Sequence, residues 1–161
     1  MTMELVETIE VGSGGAYSIE FTSIPDTGVD LVILASGRIT GNAGAADLRF
    51  NSDSGSNYAQ QRLTGTGFSV TAGRLVGDRV NIEFSGSNQT SSTYGNLEIR
   101  VSNYTSSIDK SISVDAVTEN NASGAKQEIT SATYATSSPI SSVQIIKGFA
   151  QYSSFSLYII Y

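Results

Sequence analysis

The sequence predicts an all-β fold, an antiparallel jelly-roll-like β-sandwich formed by one domain over residues 1–161. Three observations carry that expectation. Apolar and polar residues alternate with period two in short segments along the whole chain, the pattern of strands with one face buried. Clusters of Gly, Ser, Asn and Asp separate the segments, where Gly tolerates positive φ and Asn and Asp fold back on their own backbone. No stretch sustains the i, i+3, i+4, i+7 apolar pattern over three turns, so at most one short helical turn is expected. Only 15% of residues are charged and 39% are hydrophobic, with two Pro, eight Tyr and six Phe among 161 residues. Disordered chains are instead rich in Pro, Glu and Lys and poor in aromatics. A chain of this length buries roughly 68–70% of its unfolded surface, enough for a real core.

The elements follow in order. Residues 4–11 (ELVETIEV) alternate, with Leu5, Ile9 and Val11 on one face. Residues 16–21 (AYSIEF) set Tyr17, Ile19 and Phe21 against Ser18 and Glu20. The run VDLVILA at 29–35 is continuously apolar apart from Asp30, as expected of a central strand buried on both faces. Further strands are predicted at 46–50, 58–63, 80–84, 96–102, 110–118, 127–135, 142–147 and 154–161. The intervening turns are GSGG (12–15), TGN (40–42), NSDSGSN (51–57), TGTG (64–67), SGSN (85–88) and NNASGA (120–125). Segment 85–95 reads as loop, and 72–79 (AGRLVGDR) is left unassigned. About eleven short strands in one domain point to two packed antiparallel sheets. The apolar, aromatic end of the chain, up to Tyr161, is expected to dock in a sheet or a subunit interface.

Composition excludes several kinds of chemistry. The chain has no His and no Cys, hence no zinc site of the usual ligands, no haem or iron–sulfur ligation, no Ser-His-Asp or Cys-His nucleophile and no disulfide. No catalytic residue, metal or cofactor is assigned, and the chain is expected not to be an enzyme. The net charge of −6 and pI near 4.5 argue against a nucleic-acid partner, since phosphate binding needs clustered Lys and Arg. The longest apolar run falls far short of the ~20 residues of a membrane helix. The start MTMEL lacks the basic and apolar regions of a secretory signal, so export by that route is not expected.

A few residues offer other chemistry. The loop Asn51-Ser52-Asp53-Ser54-Gly55-Ser56-Asn57 places oxygen ligands at alternate positions, a spacing that suits calcium. With one carboxylate, it reads more simply as a hairpin loop fixed by Asx turns with Gly55 at positive φ. Glu83, Glu98, Asp115 and Glu119 lie on or beside predicted strands, and glycoside hydrolysis would need two of them facing across a cleft. Acids on a solvated strand face are the ordinary explanation. Tyr58, Tyr94 and Tyr104 could stack sugars in the absence of Trp. Asn88, Asn103 and Asn121 head sequons that a chain so rich in Ser, Thr and Asn produces by chance. Arg38, Arg49, Arg62, Arg74, Arg79 and Arg100 are singly spaced and are expected to be solvated or locally paired.

Several segments carry a resemblance. FTSIPDTGVDLVILASGR (21–38), LRFNSDSGSNYAQQRLTGTG (48–67), LEIRVSNYTSSIDKSISVDAVTENNASGA (97–125) and SFSLYII (154–160) resemble small virion proteins of tailed phages, common in aquatic phages and labelled as tail-fibre or capsid-decoration proteins. The matching motifs are Asp30-Leu31-Val32, Phe50-Asn51, Asp53, Gly55-Ser56-Asn57-Tyr58, Leu97-Glu98-Ile99, Ser102-Asn103-Tyr104 and Glu119-Asn120-Asn121-Ala122. Ser52 stands where that group has Gly, and Ser102 where it has Pro, both turn positions. These motifs are structural punctuation and name no active site.

The resemblance implies a virion β-sandwich assembled in the host cytoplasm. The leading expectation is a capsid decoration, or cement, protein that binds the major capsid protein lattice, because the chain shows no fibre shaft and no coiled-coil heptads. The alternative is a tail-associated or tail-fibre receptor-binding sandwich that recognises host surface glycan. Self-association is expected, as a trimer rather than a dimer. Its contact surface is expected on the terminal strands 4–11 and 154–161, through Leu5, Ile9, Phe155, Leu157, Tyr158 and Tyr161, unless the two termini pair with each other.

Overall fold

The computed structural model describes residues 2–119 and 124–161. Twelve strands are present among them and no helix: β1 (Met3–Glu10), β2 (Ala16–Phe21), β3 (Asp30–Gly37), β4 (Gly44–Phe50), β5 (Tyr58–Gly65), β6 (Val70–Gly77), β7 (Val80–Phe84), β8 (Gly95–Ser102), β9 (Lys110–Glu119), β10 (Ala125–Tyr134), β11 (Val143–Phe149) and β12 (Ser154–Ile160). All pairings between these strands are antiparallel. They form an eight-stranded sheet in the order β1-β12-β3-β8-β9-β10-β5-β6 and a four-stranded sheet in the order β2-β11-β4-β7. The molecule is therefore a β-sandwich, as the alternation and the turn clusters predict.

The one strand beyond the predicted set, β6, has a simple origin. Segment 72–79 falls largely in β6, which pairs with β5 through the tight turn Gly65–Val70. In that turn the Thr66 N–H donates to the Ser69 carbonyl at 3.1 Å and Gly67 takes φ +87°. β6 escapes a sequence reading because its alternating Val70, Ala72, Arg74 and Val76 are all exposed, so no buried face marks it. β3 is interior in its sheet, but its burial is not two-sided throughout. Leu31, Ile33 and Ala35 point into the core, and Val32 is buried on the outer face, whereas Leu34 on that face is 39% exposed. Among the described residues no second sheet is layered on that face, and one-sided alternation resumes after Ile33.

The core lies between the sheets. Leu31, Ile33, Leu97, Ile99, Val101, Ile112, Val114, Phe155, Leu157 and Ile159 from the large sheet meet Ile19, Phe21, Leu48, Phe50, Ile82, Phe84, Val143 and Ile145 from the small one. Phe84, Phe149 and Phe155 pack together with centroids 5.0–6.0 Å apart, in edge-on and tilted arrangements that suit aromatic quadrupoles. Gly37 lies beside them because a Cβ there would come within 2.5 Å of the Phe84 ring.

The two termini pair with each other: β1 runs against β12 from Met3↔Ile160 to Glu10↔Ser154. Phe155 and Leu157 are fully buried within the chain, so they are core residues and not the interface residues expected from the sequence. Ile9 packs partly against the core. Leu5 and Tyr161 are exposed, and Tyr158 is half-buried on the outer face between Leu5 and Val32.

Candidate functional site: the outer face of the β9-β10-β5-β6 extension

The eight-stranded sheet is twice as wide as the sheet that covers it. Beyond β8 it continues through β9, β10, β5 and β6, called here the extension. Burial of the inner face persists over β9 and β10 and fades through β5 to β6, while β1 at the other edge has no buried residue. Contact with the small sheet continues along its β7 edge, mainly to β9 and more sparsely to β10 and β5. The inner face turns polar in the same direction. β9 presents Ile112, Val114 and Ala116, but β10 presents Glu128 and Thr130 beside Ala132, and β5 presents Gln60, Arg62 and Thr64.

Three groups of contacts hold the extension. Tyr58 and Tyr134 stack at 4.6 Å, and Tyr134 stacks on Phe50 of the small sheet at 5.6 Å. The Gln60 side-chain carbonyl accepts the Asn81 N–H at 2.6 Å, satisfying a donor on β7. Farther along, Lys126 Nζ pairs with Glu83 at 2.8 Å, and Glu128 Oε2 accepts from the Thr64 hydroxyl at 2.9 Å with Arg62 Nη1 at 3.6 Å. Glu128 is buried and its Oε1 has no hydrogen-bond partner, so this end of the interior is imperfectly satisfied.

The outer face is open, and register sets its rows. One row across the strands reads Arg100, Ser113, Ser131, Gln61, Arg74. The next reads Ser102, Ser111, Thr133, Ala59, Val76. Their short side chains leave a trough of about 740 Å³ over β9, β10, β5 and β6. On its other side lies the row Glu98, Asp115, Ile129, Leu63, Ala72. Its apolar end continues into Val70 and Phe68, 75% and 95% exposed. Hydroxyls, one amide and a guanidinium thus line a shallow bed with an apolar margin.

The residues singled out from the sequence are distributed as follows. Tyr58 and Tyr104 are buried, and Tyr94 is half-buried with its hydroxyl donating to the Gln151 carbonyl at 2.6 Å. The three do not share a groove, which corrects the sugar-stacking expectation. Burial pushes the Tyr58 hydroxyl well above the ordinary phenol range. Glu98 and Asp115 are side by side on one wall of the open face. Glu83 faces Lys126 inside the sandwich. Glu119 holds the 86–93 loop by accepting from the Thr90 N–H and hydroxyl. No two of these four face each other across a cleft.

Asp53 explains the 51–57 loop. Its carboxylate accepts from the Gly55 N–H at 2.7 Å, the Asn57 amide at 2.8 Å and the Tyr134 hydroxyl at 3.0 Å. The Asn57 bond and then the Gly55 bond hold its pKa below the usual value against some desolvation, with the Tyr134 bond contributing less. The Asx turn is as expected, but positive φ falls on Asn51 and Ser52 (53° and 54°) and not on Gly55. With the Asp53 N–H bonded to the Phe50 carbonyl, this is a tight turn of the I′ kind. That explains why a Gly would suit position 52.

The other motif residues also tie loops. Asp30 accepts from Arg100 Nη2 at 2.6 Å and from the Asn103 N–H at 3.0 Å. Asn103 itself takes φ 53°, and the Tyr104 hydroxyl accepts from the Gly28 N–H. Asn88 accepts from the Ala43 N–H at 2.7 Å. Asn120, Asn121 and Ala122 lie outside the described residues. Of the arginines, Arg38 donates to carbonyls of Gln89, Thr90 and Thr93. Arg49 and Arg79 share Asp47 and Asp78. Arg62 and Arg100 pair as described, and Arg74 alone has no side-chain partner among the described residues.

The sequence reading missed Lys110, which is fully buried, donates to the Ser106 and Ile108 carbonyls and is held below its ordinary pKa by burial. It braces the 103–109 loop. Its only signal was position, as the first inward residue of a strand whose next three inward residues, Ile112, Val114 and Ala116, are apolar.

Fold and site together define a class: an all-β sandwich whose larger sheet carries a four-stranded extension with an open outer face. No protein-family model matches the chain, and neither a curated protein nor a solved structure does.

Proposed function

We propose that the chain is a structural subunit of a virion, a capsid decoration protein that lays the outer face of its extension against the major capsid protein lattice. The observation that carries this reading is the apolar margin of that face. Ala72, Leu63 and Ile129 lie in register on three adjacent strands, flanked by Val70, Phe68 and Val117, all exposed. Adjacent exposed apolar residues of this kind are what a partner surface covers, and they support contact with one. The winding supports the reading too. The orders β1-β12-β3-β8 and β2-β11-β4-β7, with the chain alternating between sheets from β1 to β4, support reading the winding as a jelly roll with two hairpins added. The motif residues Asp30, Asn51, Asp53 and Asn103 tie loops, as befits a durable scaffold.

A tail-associated module that binds host glycan is the second reading. The trough favours it, because hydroxyls of Ser113, Ser131 and Thr133, the Gln61 amide and the unpaired Arg74 suit a polyhydroxylated ligand.

Quantitation of the protein in purified virions tests both. Copies in the hundreds, with rebinding to capsids stripped of it and loss of rebinding in Leu63→Asp/Ile129→Asp, are expected. A copy number set by the tail's three- or six-fold symmetry, with binding to host polysaccharide abolished by Arg74→Ala, favours the second reading. Absence from virions overturns both.

A further inference from the structure

The eight-stranded sheet ends at β6, whose far side pairs with no other strand among the described residues. Every second residue of such a strand turns its N–H and C=O outward, a template for another strand. Folded proteins blunt these edges with charge, Pro, bulges or a covering segment. β6 lacks Pro and bulges and has little charge: Val70–Gly77 (VTAGRLVG) pairs with β5 without a register shift and carries a single charge, Arg74. The chain as a whole has a net charge of −6, which opposes self-association, but residues 64–73 are uncharged.

We propose that β6 pairs antiparallel with β6 of a second copy about a two-fold axis, joining two large sheets into one of sixteen strands. The inference deepens the assembly reading and rests on it in one respect, that the protein works as part of a larger structure.

The sequence of β6 makes a second copy the fitting occupant and selects a register. In a two-fold antiparallel pair one residue faces its own counterpart. An axis at Arg74 would oppose two guanidinium groups, which disfavours pairing. An axis at Gly73 sets Arg74 against the partner's Ala72 and Val70 against the partner's Val76. Val70 and Val76 are 75% and 54% exposed in the single chain, and both would be covered as cross-strand apolar pairs. Gly73 facing Gly73 across the axis brings no steric conflict.

Eight residues span about 27 Å, and the junction would contain about eight interchain main-chain hydrogen bonds. Such a strip is smaller than the ~800 Å² per partner of a standard interface, so the dimer is expected to dissociate in the micromolar range.

Sedimentation velocity of the full chain, from about 1 to 200 µM, tests the proposal, with circular dichroism to confirm folding. The wild type is expected to pass from monomer to dimer over this range. Val70→Glu/Val76→Glu sets like charges opposite each other twice and is expected to remain monomeric. Val70→Glu/Val76→Lys sets opposite charges together in the proposed register and is expected to dimerise, more weakly as salt rises. A wild type that stays monomeric or forms a trimer overturns the proposal. So does equal association of the two double variants, or loss of association in both. Capsid rebinding is measured separately. Dimers that do not bind capsids sink the cement role alone, and capsid binding by a strict monomer sinks the β6 pairing alone.

Discussion

The two edges of the large sheet solve one physical problem differently. β1 carries Glu4, Glu7 and Glu10, and a register shift between Leu5 and Glu7 breaks its ladder with β12. Charge and irregularity both discourage a further strand from adding there. β6, at the opposite edge, is regular, lacks acidic residues and borders the exposed apolar margin. The inner faces differ in the same sense. Next to β1 the inward residues of β12 are Phe155, Leu157 and Ile159, with Val6 and Ile9 of β1 partly packed against the same core, whereas the interior near β6 contains Arg62, Thr64 and the half-satisfied Glu128. One edge of the sheet is guarded by charge and irregularity, and the other is left regular and unguarded. The proposed contact surface falls at the open end, where packing demands least of the side chains.

Replacing one inward residue at each end gives the largest contrast. Leu157→Ala removes a fully buried side chain from the apolar end and is expected to cost about 3 kcal/mol, read as a lower midpoint in chemical denaturation. Glu128→Leu, at the polar end, is expected to change stability by less than about 1 kcal/mol in either direction. It removes a buried carboxylate oxygen that has no partner, and Arg62 can turn to water. A loss at Glu128→Leu as large as that at Leu157→Ala would show that the two interiors are equally demanding.

A second variant attacks the guarded edge. Glu4→Thr/Glu7→Thr/Glu10→Thr leaves β1 neutral, and light scattering is expected to show species larger than those of the wild type at the same concentration. The bulge remains and limits the effect to roughly a tenfold gain in association, about 1.4 kcal/mol. No change would mean that the bulge alone protects this edge.

The smallest effect concerns the loop that caps the aromatic stack under the extension. The folded-state pKa of Asp53 lies below the ordinary 3.8, so the unfolded chain binds more protons between the two values. Its contribution is fully present above the unfolded pKa and is lost as pH falls through the folded one. Wild type and Asp53→Asn are therefore expected to converge in stability below pH ~4, the difference at neutral pH being about 1 kcal/mol. A gap that persists at low pH would assign the role of Asp53 to packing and not to its charge.

Much of the sandwich was legible in the sequence, because a strand with one buried face writes its environment into a period of two. That is why 16–21, 46–50, 96–102 and 110–118 coincide closely with β2, β4, β8 and β9, and why β6, buried on neither face, left no pattern. The site was less legible. Tyr58 and Tyr104 read as surface aromatics because an aromatic residue at a loop boundary has the same sequence whether it stacks inward or outward. Only the arrival of Tyr134 from a distant strand, stacked on both Tyr58 and Phe50, decides it for Tyr58. Likewise Phe155 and Leu157 satisfy one alternation rule whether they face a partner or their own core, and the pairing of β12 between β1 and β3 chose the core.

By itself, then, the sequence determined the fold class, the turn chemistry, the lack of His and Cys and the lone Asp53 carboxylate of the 51–57 loop, since these depend on residues close together in the chain. Tertiary structure decided which hairpins extend the large sheet, which rows of side chains stand together as a trough, and which edge remains open. Those features come from the pairing of β10 with β5, strands about seventy residues apart, and no local pattern encodes which distant strand supplies the partner.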